Sequence, residues 1–452
     1  MMGQAVDQQD RLFYEFNLDE RVPATHLLRR IDAVLDLSWL RGELKPYYSH
    51  TGCPSIDPEL MIRMLLVGYC YSVRSERRLC QEVELNLAYR WFCRLGLEDK
   101  VPNHSTFSVN RHGRFRDADV LRQVFESVVC QCMEAGLVGG EGFAVDASVI
   151  EANASRFQRV DGSEIDWSEE QLARHAIQEY VAALESENSP LNPDKLPKAL
   201  SPSDPAAAWT TRGRNKVMFG YSLNYLIDME GTVIVDVEAT PTRISKEVDA
   251  AETMLQRTEE RFALKPERIA GDVAYGTGEM LGWLVAHDID PHIPVWDRSE
   301  VAAKGKFARG DFSYDKERDL YVCPGGKELK TSGTVHDGTT IKYIAKRSDC
   351  RQCPLKPQCT TGRERRVSTD VNQEARDYTQ ALMETDAYRQ SSIDRKQIER
   401  LFGEAKSHLS MTRLRLRGLT GARDEFLLTA TVQNLKRLVE RVAIPPPRAV
   451  AA

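Results

Sequence analysis

Two aspartates stand inside apolar, strand-like runs: Asp146 in EGFAVDASVIEA (141–152) and Asp272 in ERIAGDVAYG (267–276). A buried carboxylate without a partner is costly. Two that converge repel each other and raise a pKa, and a divalent cation between them relieves both effects. Hard oxygen ligands suit Mg²⁺ or Mn²⁺, which keep waters and bind phosphates. A pair of such ions serves in-line phosphoryl transfer. Taken singly, each aspartate reads equally as a strand-end cap or a structural acceptor, so a third acid is needed.

The run IDRKQIERLFGEAKSHLS (393–410) supplies it and has helical periodicity. At about 100° per residue, Arg395, Glu399 and Lys406 stand at roughly 0°, 40° and 20° on one face. Glu399 would then complete a cation site, with Arg395 and Lys406 holding DNA phosphates on either side. Glu404 is the rival acid, but it falls about 140° from Glu399 on the same wheel. A salt-bridged surface helix is the plain alternative.

Further basic and aromatic side chains read as nucleic-acid contacts. Arg413, Arg415 and Arg417 alternate with Leu in MTRLRLRGL (411–419), a short extended segment or turn suited to phosphate contact. Trp296 could stack on an unpaired base near a cleaved end, or simply pack. Arg74, Arg77 and Arg78 form a basic group on the N-terminal helices. Cys323, Cys350, Cys353 and Cys359 follow the spacing C-x26-C-x2-C-x5-C in a polar, turn-rich stretch. Four such thiols can hold a tetrahedral structural Zn²⁺; free cysteines and a disulfide are the other readings.

The elements that must position these groups fall into blocks. Residues 1–137 read as a helical domain, with Asp57–Pro58 and Ser75 as helix starts. Residues 138–300 read as strand, long hairpin, helix, strand, helix, strand. A helix opened by a capping box, Ser168 to Gln171, covers 168–187. Residues 301–375 form a cysteine-bearing basic insertion, and 376–445 return to helix with the third acid. The fold class is α/β, a mixed sheet with flanking helices, plus the helical N-terminal domain and an irregular or β insertion.

Composition bounds the setting. The 452 residues are 42% hydrophobic and 28% charged, with a net charge of −6. No apolar run reaches membrane-span length, and the first residues lack a signal-peptide layout. A cytoplasmic protein without membrane partners is expected, so the ten cysteines are not read as a disulfide framework. The global charge hides a basic region: residues 389–441 carry twelve Lys/Arg against six Asp/Glu.

The ordered trio resembles the DDE transposases of bacterial insertion sequences, with their RNase H-like catalytic domain. The matching segments are VDASVIEANAS, AGDVAYG and IERLFGEAK. The wider signature Tyr-x2-Arg-x3-Glu-x6-Lys matches at Arg395, Glu399 and Lys406, with Ser392 at the tyrosine position and Tyr388 one turn earlier. The N-terminal block and SDPAAAWTTR (203–212) fit the same group. The resemblance implies catalytic and metal-binding roles for Asp146, Asp272 and Glu399 with two Mg²⁺ (or Mn²⁺) ions. It implies cutting of element ends and joining to target DNA. The partners would be double-stranded terminal inverted repeats and target DNA, bound by a homodimer at the bacterial nucleoid. A catalytically inactive DNA-binding regulator and a plain RNase H-like nuclease are the alternatives.

Overall fold

The computed structural model describes residues 16–49, 51, 55–186, 196–212, 216–242, 244–295 and 306–441. The chain divides into two compact units. One gathers the helices up to Gly136 with Glu404–Leu416 and the C-terminal segment from Asp424. The other holds Leu137–Gly403 and Arg417–Arg423. The sequence-based boundaries do not coincide with this grouping, because the end of the chain is shared between the two units. Among the described residues no helix is long and apolar enough to cross a membrane.

The helical unit is organised around Pro58–Cys70, which is buried on nearly every side because its residues are apolar all round. Asp57 caps it, accepting the Glu59 N–H at 3.0 Å, and Pro58 opens it without needing a donor. Arg63 is 3% exposed within this run. Its guanidinium is matched by Glu59 at 2.8 Å, Asp32 at 2.7 Å and the Phe92 carbonyl at 3.1 Å. The expected basic group splits: Arg77 and Arg78 are exposed, whereas Arg74 is buried 3.2 Å from Glu425.

The second unit is built on a sheet of β1 (Gly142–Glu151), β2 (Ala208–Arg212), β3 (Lys216–Asp228), β4 (Ile234–Pro241), β5 (Arg268–Ala270) and β6 (Asp290–His292). β3 lies between β1 and β4, antiparallel to both, and β2 extends the β4 edge against the start of β3. β5 runs parallel to β1, and β6 parallel to β5. An antiparallel meander continued by parallel strands, with helices on both faces, is the RNase H-like α/β arrangement. The helix Ile244–Phe262 covers one face through Val248, Ala251, Met254 and Leu255, which pack on Phe143, Val145 and Leu226. The capping box at Ser168 forms, but the helix it opens stops at Leu172 and a second runs His175–Ser186.

Asp204 anchors the segment leading into β2. Its carboxylate accepts the Tyr221 hydroxyl at 2.6 Å and the Gly418 N–H at 3.1 Å. Burial pushes the carboxyl up to about 6, against the pull of both hydrogen bonds. A pKa raised on folding contributes stability fully below the unfolded value, near 4, and loses it as pH rises through about 6. Above that range the buried charge costs on the order of 2 kcal/mol. Asp204→Asn keeps an acceptor without the charge. Its melting temperature is expected to exceed wild type at about pH 8, with the gap shrinking towards pH 4. A pH-independent difference in a melting series would refute this.

The insertion is a small β-domain rather than irregular chain. It comprises β7 (Ser313–Asp315), β8 (Leu320–Val322), β9 (Glu328–His336), β10 (Thr340–Ala345) and β11 (Arg366–Asp370), a meander with every neighbouring pair antiparallel. Its core is Phe312, Tyr321, Leu329, Tyr343, Ala345 and Val367. Asp319 ties it together by accepting the Tyr314 and Tyr343 hydroxyls at 2.8 and 2.6 Å.

Candidate active site

Asp146 sits in the middle of the central strand, opposite Tyr225 of β3. Alternation along β1 sends Val145 into the core under Ile244–Phe262 and turns Asp146 to the other face. The helix Lys396–Ser407 covers that face: Phe402 stacks on Tyr225 with centroids 4.9 Å apart and planes 15° from parallel. Gln397 fixes the start of this helix. Its side-chain N–H donates to the Met229 carbonyl at 3.1 Å, and its side-chain carbonyl accepts the Thr232 hydroxyl. Glu399, one turn before Phe402, is exposed.

Asp272 lies just past β5, the strand beside β1. The strand ends at Ala270, two residues earlier than the sequence reading. Asp272 then caps a short 3-10 turn, accepting the Ala274 N–H at 2.8 Å.

Asp272 and Glu399 both act on Asp146. The Asp146 carboxyl is pushed up to about 6, first by burial, with the charges of Asp272 and Glu399 adding to the shift. The Ala147 N–H, 2.7 Å from Oδ1, and the Arg395 guanidinium, 3.3 Å from Oδ2, pull the other way. Arg395 arrives by a route the helical wheel missed. It is not on the Glu399 helix but caps the C-terminus of Asp386–Asp394. There an Ile398 N–H to Arg395 carbonyl bond of 3.0 Å shifts the register between the two helices. Ser391 on the first of these helices meets His292 Nδ1 of β6 at 2.7 Å, tying it to the sheet.

Lys406 lies two turns beyond Glu399 on the same helix, half-buried and engaged in an interaction of its own. Glu404 is committed elsewhere, to Gln433 Nε2 at 3.0 Å and Lys436 Nζ at 3.7 Å. Arg413 and Arg415 are exposed, and each already makes an interaction. Arg417 donates from Nε to the Asn153 carbonyl at 3.0 Å. Trp296 lies outside the described residues.

Sequence reasoning passed over Tyr275, although it stands in the same motif as Asp272. The ring packs beside Gly271, close to Val145. Its hydroxyl is buried without a hydrogen-bond partner. Burial, and then the charges of Asp146, Glu247 and Asp272, hold the phenol well above its ordinary range. Tyr275→Phe removes an unsatisfied hydroxyl while keeping the ring, so it should raise stability by roughly 1 kcal/mol. Denaturant titration checks this; a loss of that size would reveal a partner for the hydroxyl.

Among the described residues no three His, Cys, Asp or Glu side chains form a group that could hold a metal ion as they stand. Asp146 is instead turned to Arg395 and its own backbone. The donor set nevertheless fits by chemistry: Asp146 with the two carboxylates that act on it offers hard oxygens and more negative charge than one guanidinium balances.

The four insertion cysteines gather at one end of the small sheet. None is joined in a disulfide, and as they stand they, like the acids, do not form a metal-holding group. The sulfurs of Cys323 and Cys353 flank Gly325, where a methyl would meet them at 3.7 and 3.5 Å. Burial raises the Cys359 thiol, and Cys350, Cys323 and Cys353 raise it further. Backbone N–H groups point at sulfur from Lys327 to Cys323 at 3.4 Å and from Arg365 to Cys350 at 3.5 Å. Of the remaining cysteines, Cys70, Cys93 and Cys132 are buried. Cys80 is only partly buried and Cys130 is exposed, facing outward on its helix; Cys53 is outside the described residues.

Two segments of the chain match known families. Residues 16–113 match a family described as a transposase domain (DUF772), and residues 322–439 match the family described as a transposase DDE domain. The second match includes Arg395, Glu399 and the four insertion cysteines; Asp146 and Asp272 lie outside both. A solved piggyBac transposase synaptic complex with hairpin DNA is similar at 10% identity and a TM-score of 0.35, over 92% of this chain and 74% of that one. Both matched families are described as transposase domains, and the chain carries a transposase DDE domain over residues 322–439.

Proposed function

We propose that Asp146, Asp272 and Glu399 form the catalytic acid triad of this DNA transposase and together hold two Mg²⁺ or Mn²⁺ ions. What supports the reading is that Asp272 and Glu399, from far-apart segments, both act on the Asp146 carboxyl, with Arg395 3.3 Å from it. Bound there, the cations supply Lewis-acid stabilisation of a phosphoryl transfer. The acids would hold the cations where the reacting phosphate comes to lie. Arg395 leaves Asp146 for a phosphate oxygen, and Lys406, Arg413, Arg415 and Arg417 hold the DNA backbone alongside. In the first reaction water attacks a phosphorus at the element's end, breaking the bond to the 3′ oxygen and leaving a 3′-OH. In the second that 3′-OH attacks a target phosphodiester and displaces a target 3′ oxygen. One phosphodiester forms as one breaks, so no ATP is required.

The helical N-terminal domain, 1–137, binds the terminal inverted repeats or joins two copies on DNA. The insertion, 301–375, carries one structural Zn²⁺ on Cys323, Cys350, Cys353 and Cys359. The enzyme works in the cytoplasm, on nucleoid DNA. Incubation with duplexes bearing candidate element ends and Mg²⁺, followed by mapping of nicks and joined products, tests the proposal. Cutting without joining would favour a nuclease instead. Metal-independent end binding with neither reaction would favour a regulator.

A further inference from the structure

Asp146 already meets a cation that the chain itself provides. Its Oδ1 accepts the Ala147 N–H at 2.7 Å, and its Oδ2 faces the Arg395 guanidinium at 3.3 Å. Both oxygens are therefore engaged from within the polypeptide. Arg395 is held there by an ordered mount. It caps the helix Asp386–Asp394, its own N–H donating to the Ser391 carbonyl at 2.9 Å. The Ser391 side chain lies 2.7 Å from His292 Nδ1 on β6, and both residues are buried. A helix fastened to the sheet one turn away thus delivers the guanidinium to the carboxylate.

The pair is nonetheless built to part. A separation of 3.3 Å is longer than the roughly 2.8 Å of a tight charge-assisted hydrogen bond. The two side chains are 22% and 19% exposed, so water can replace the contact at modest cost. One guanidinium also leaves the local charge unbalanced, because Asp272 and Glu399 both act on Asp146. A divalent ion would balance it better, and the guanidinium opposes that ion in two ways. It occupies Oδ2, and its charge repels a second cation. A phosphate oxygen is an equally good partner for an arginine.

We propose that Arg395 is an internal stand-in for a metal ion, keeping divalent cations weakly bound at Asp146 until a DNA phosphate draws the guanidinium away. The inference rests on the triad reading above and adds the regulation of that site. Cation and DNA binding become coupled, each strengthening the other by the same factor. The substrate then arms the site that acts on it.

The full chain is titrated with Mn²⁺, an ion suited to carboxylate oxygens, whose free hydrated form is counted by paramagnetic resonance. Arg395→Gln removes the charge and keeps a polar side chain of good helical propensity. Without DNA it is expected to bind Mn²⁺ roughly tenfold more tightly than wild type, since one charge beside a divalent ion has gone. Arg395→Lys keeps a cation and is expected to stay close to wild type. Duplexes bearing candidate element ends should tighten Mn²⁺ binding roughly tenfold in wild type and much less in Arg395→Gln. Unchanged or weaker Mn²⁺ binding in Arg395→Gln overturns the proposal. Equal tightening in Arg395→Lys does so too, because it would trace the effect to helix packing. A duplex effect of the same size in wild type and Arg395→Gln overturns the exchange with phosphate. Asp146→Asn, measured with duplex present, separates this proposal from the triad. If it weakens Mn²⁺ binding while Arg395→Gln changes nothing, the triad stands and the stand-in falls. If it binds Mn²⁺ as wild type does, the triad reading fails and the stand-in falls with it.

Discussion

Asp146→Ala is expected to abolish strand cleavage and joining, by at least about a thousandfold, while leaving the fold and end binding intact. The reason lies in how the site is balanced. Asp146 is the most enclosed of the three acids, central on β1, and feels both Asp272 and Glu399. Removing it deletes one of the three carboxylates that would hold the cations. The fold should tolerate the change, because the native carboxyl is held up to about 6 by burial and gains only Arg395 and one backbone N–H in return. Asp272→Ala also loses the cap on its 3-10 turn, and so should lose some stability with the activity. Glu399→Ala should lose activity alone, since its side chain is exposed. Glu404→Ala is the control. It breaks contacts to Gln433 and Lys436 and should still cleave. Single-turnover cleavage of a labelled end, with melting curves for each variant, checks the set. Cleavage by Glu399→Ala but not by Glu404→Ala would falsify the third-acid assignment.

The second large effect is expected at the cysteines. Six side chains form the core of the β7–β11 domain, few for an independently stable sheet of this size. A structural zinc held by four thiolates contributes on the order of 10 kcal/mol in small metal-stapled domains. Cys353→Ser, or a strong chelator, should therefore release zinc and open the 306–370 region to proteolysis. The rest of the second unit has its own core beneath Ile244–Phe262 and should persist. Metal analysis of the purified protein and limited proteolysis with mass mapping measure both. Four thiols reacting freely in the native protein, without metal release, would leave the cysteines as packing residues only.

Much of this was legible in the sequence because it is written locally. Alternation in VDASVIEA, the hairpin after Lys216, the Asp57–Pro58 start and the capping box at Ser168 each involve neighbours a few residues apart. The acids inside apolar strands were visible as candidates, although that placement also serves structural acceptors, as Asp228 does for the Gly139 and Gly140 N–H groups. Other expectations needed correction. The helical wheel put Arg395 on the Glu399 face, but the helix breaks at Arg395 itself. Arg74 looked like part of a basic surface, yet it is buried against Glu425. Tyr275 gave no sign, because a tyrosine in a glycine-rich turn looks like packing until its hydroxyl is found without a partner.

By itself the sequence determined the order of elements, the buried face of each and the chemical character of the candidate site. These follow from periodicity and side-chain type, which act over one or two turns. Only the tertiary structure decided which charges meet. Arg395 reaches Asp146 across 249 residues, Gln397 reaches Met229 across 168, and Glu404 is drawn to Gln433 rather than towards the other acids. Such pairings depend on strand order and on the register between two helices, and neither leaves a trace in local spacing. A shift of one residue at Arg395 moves a side chain by about 100° around its axis, enough to change its partner while every local pattern stays the same.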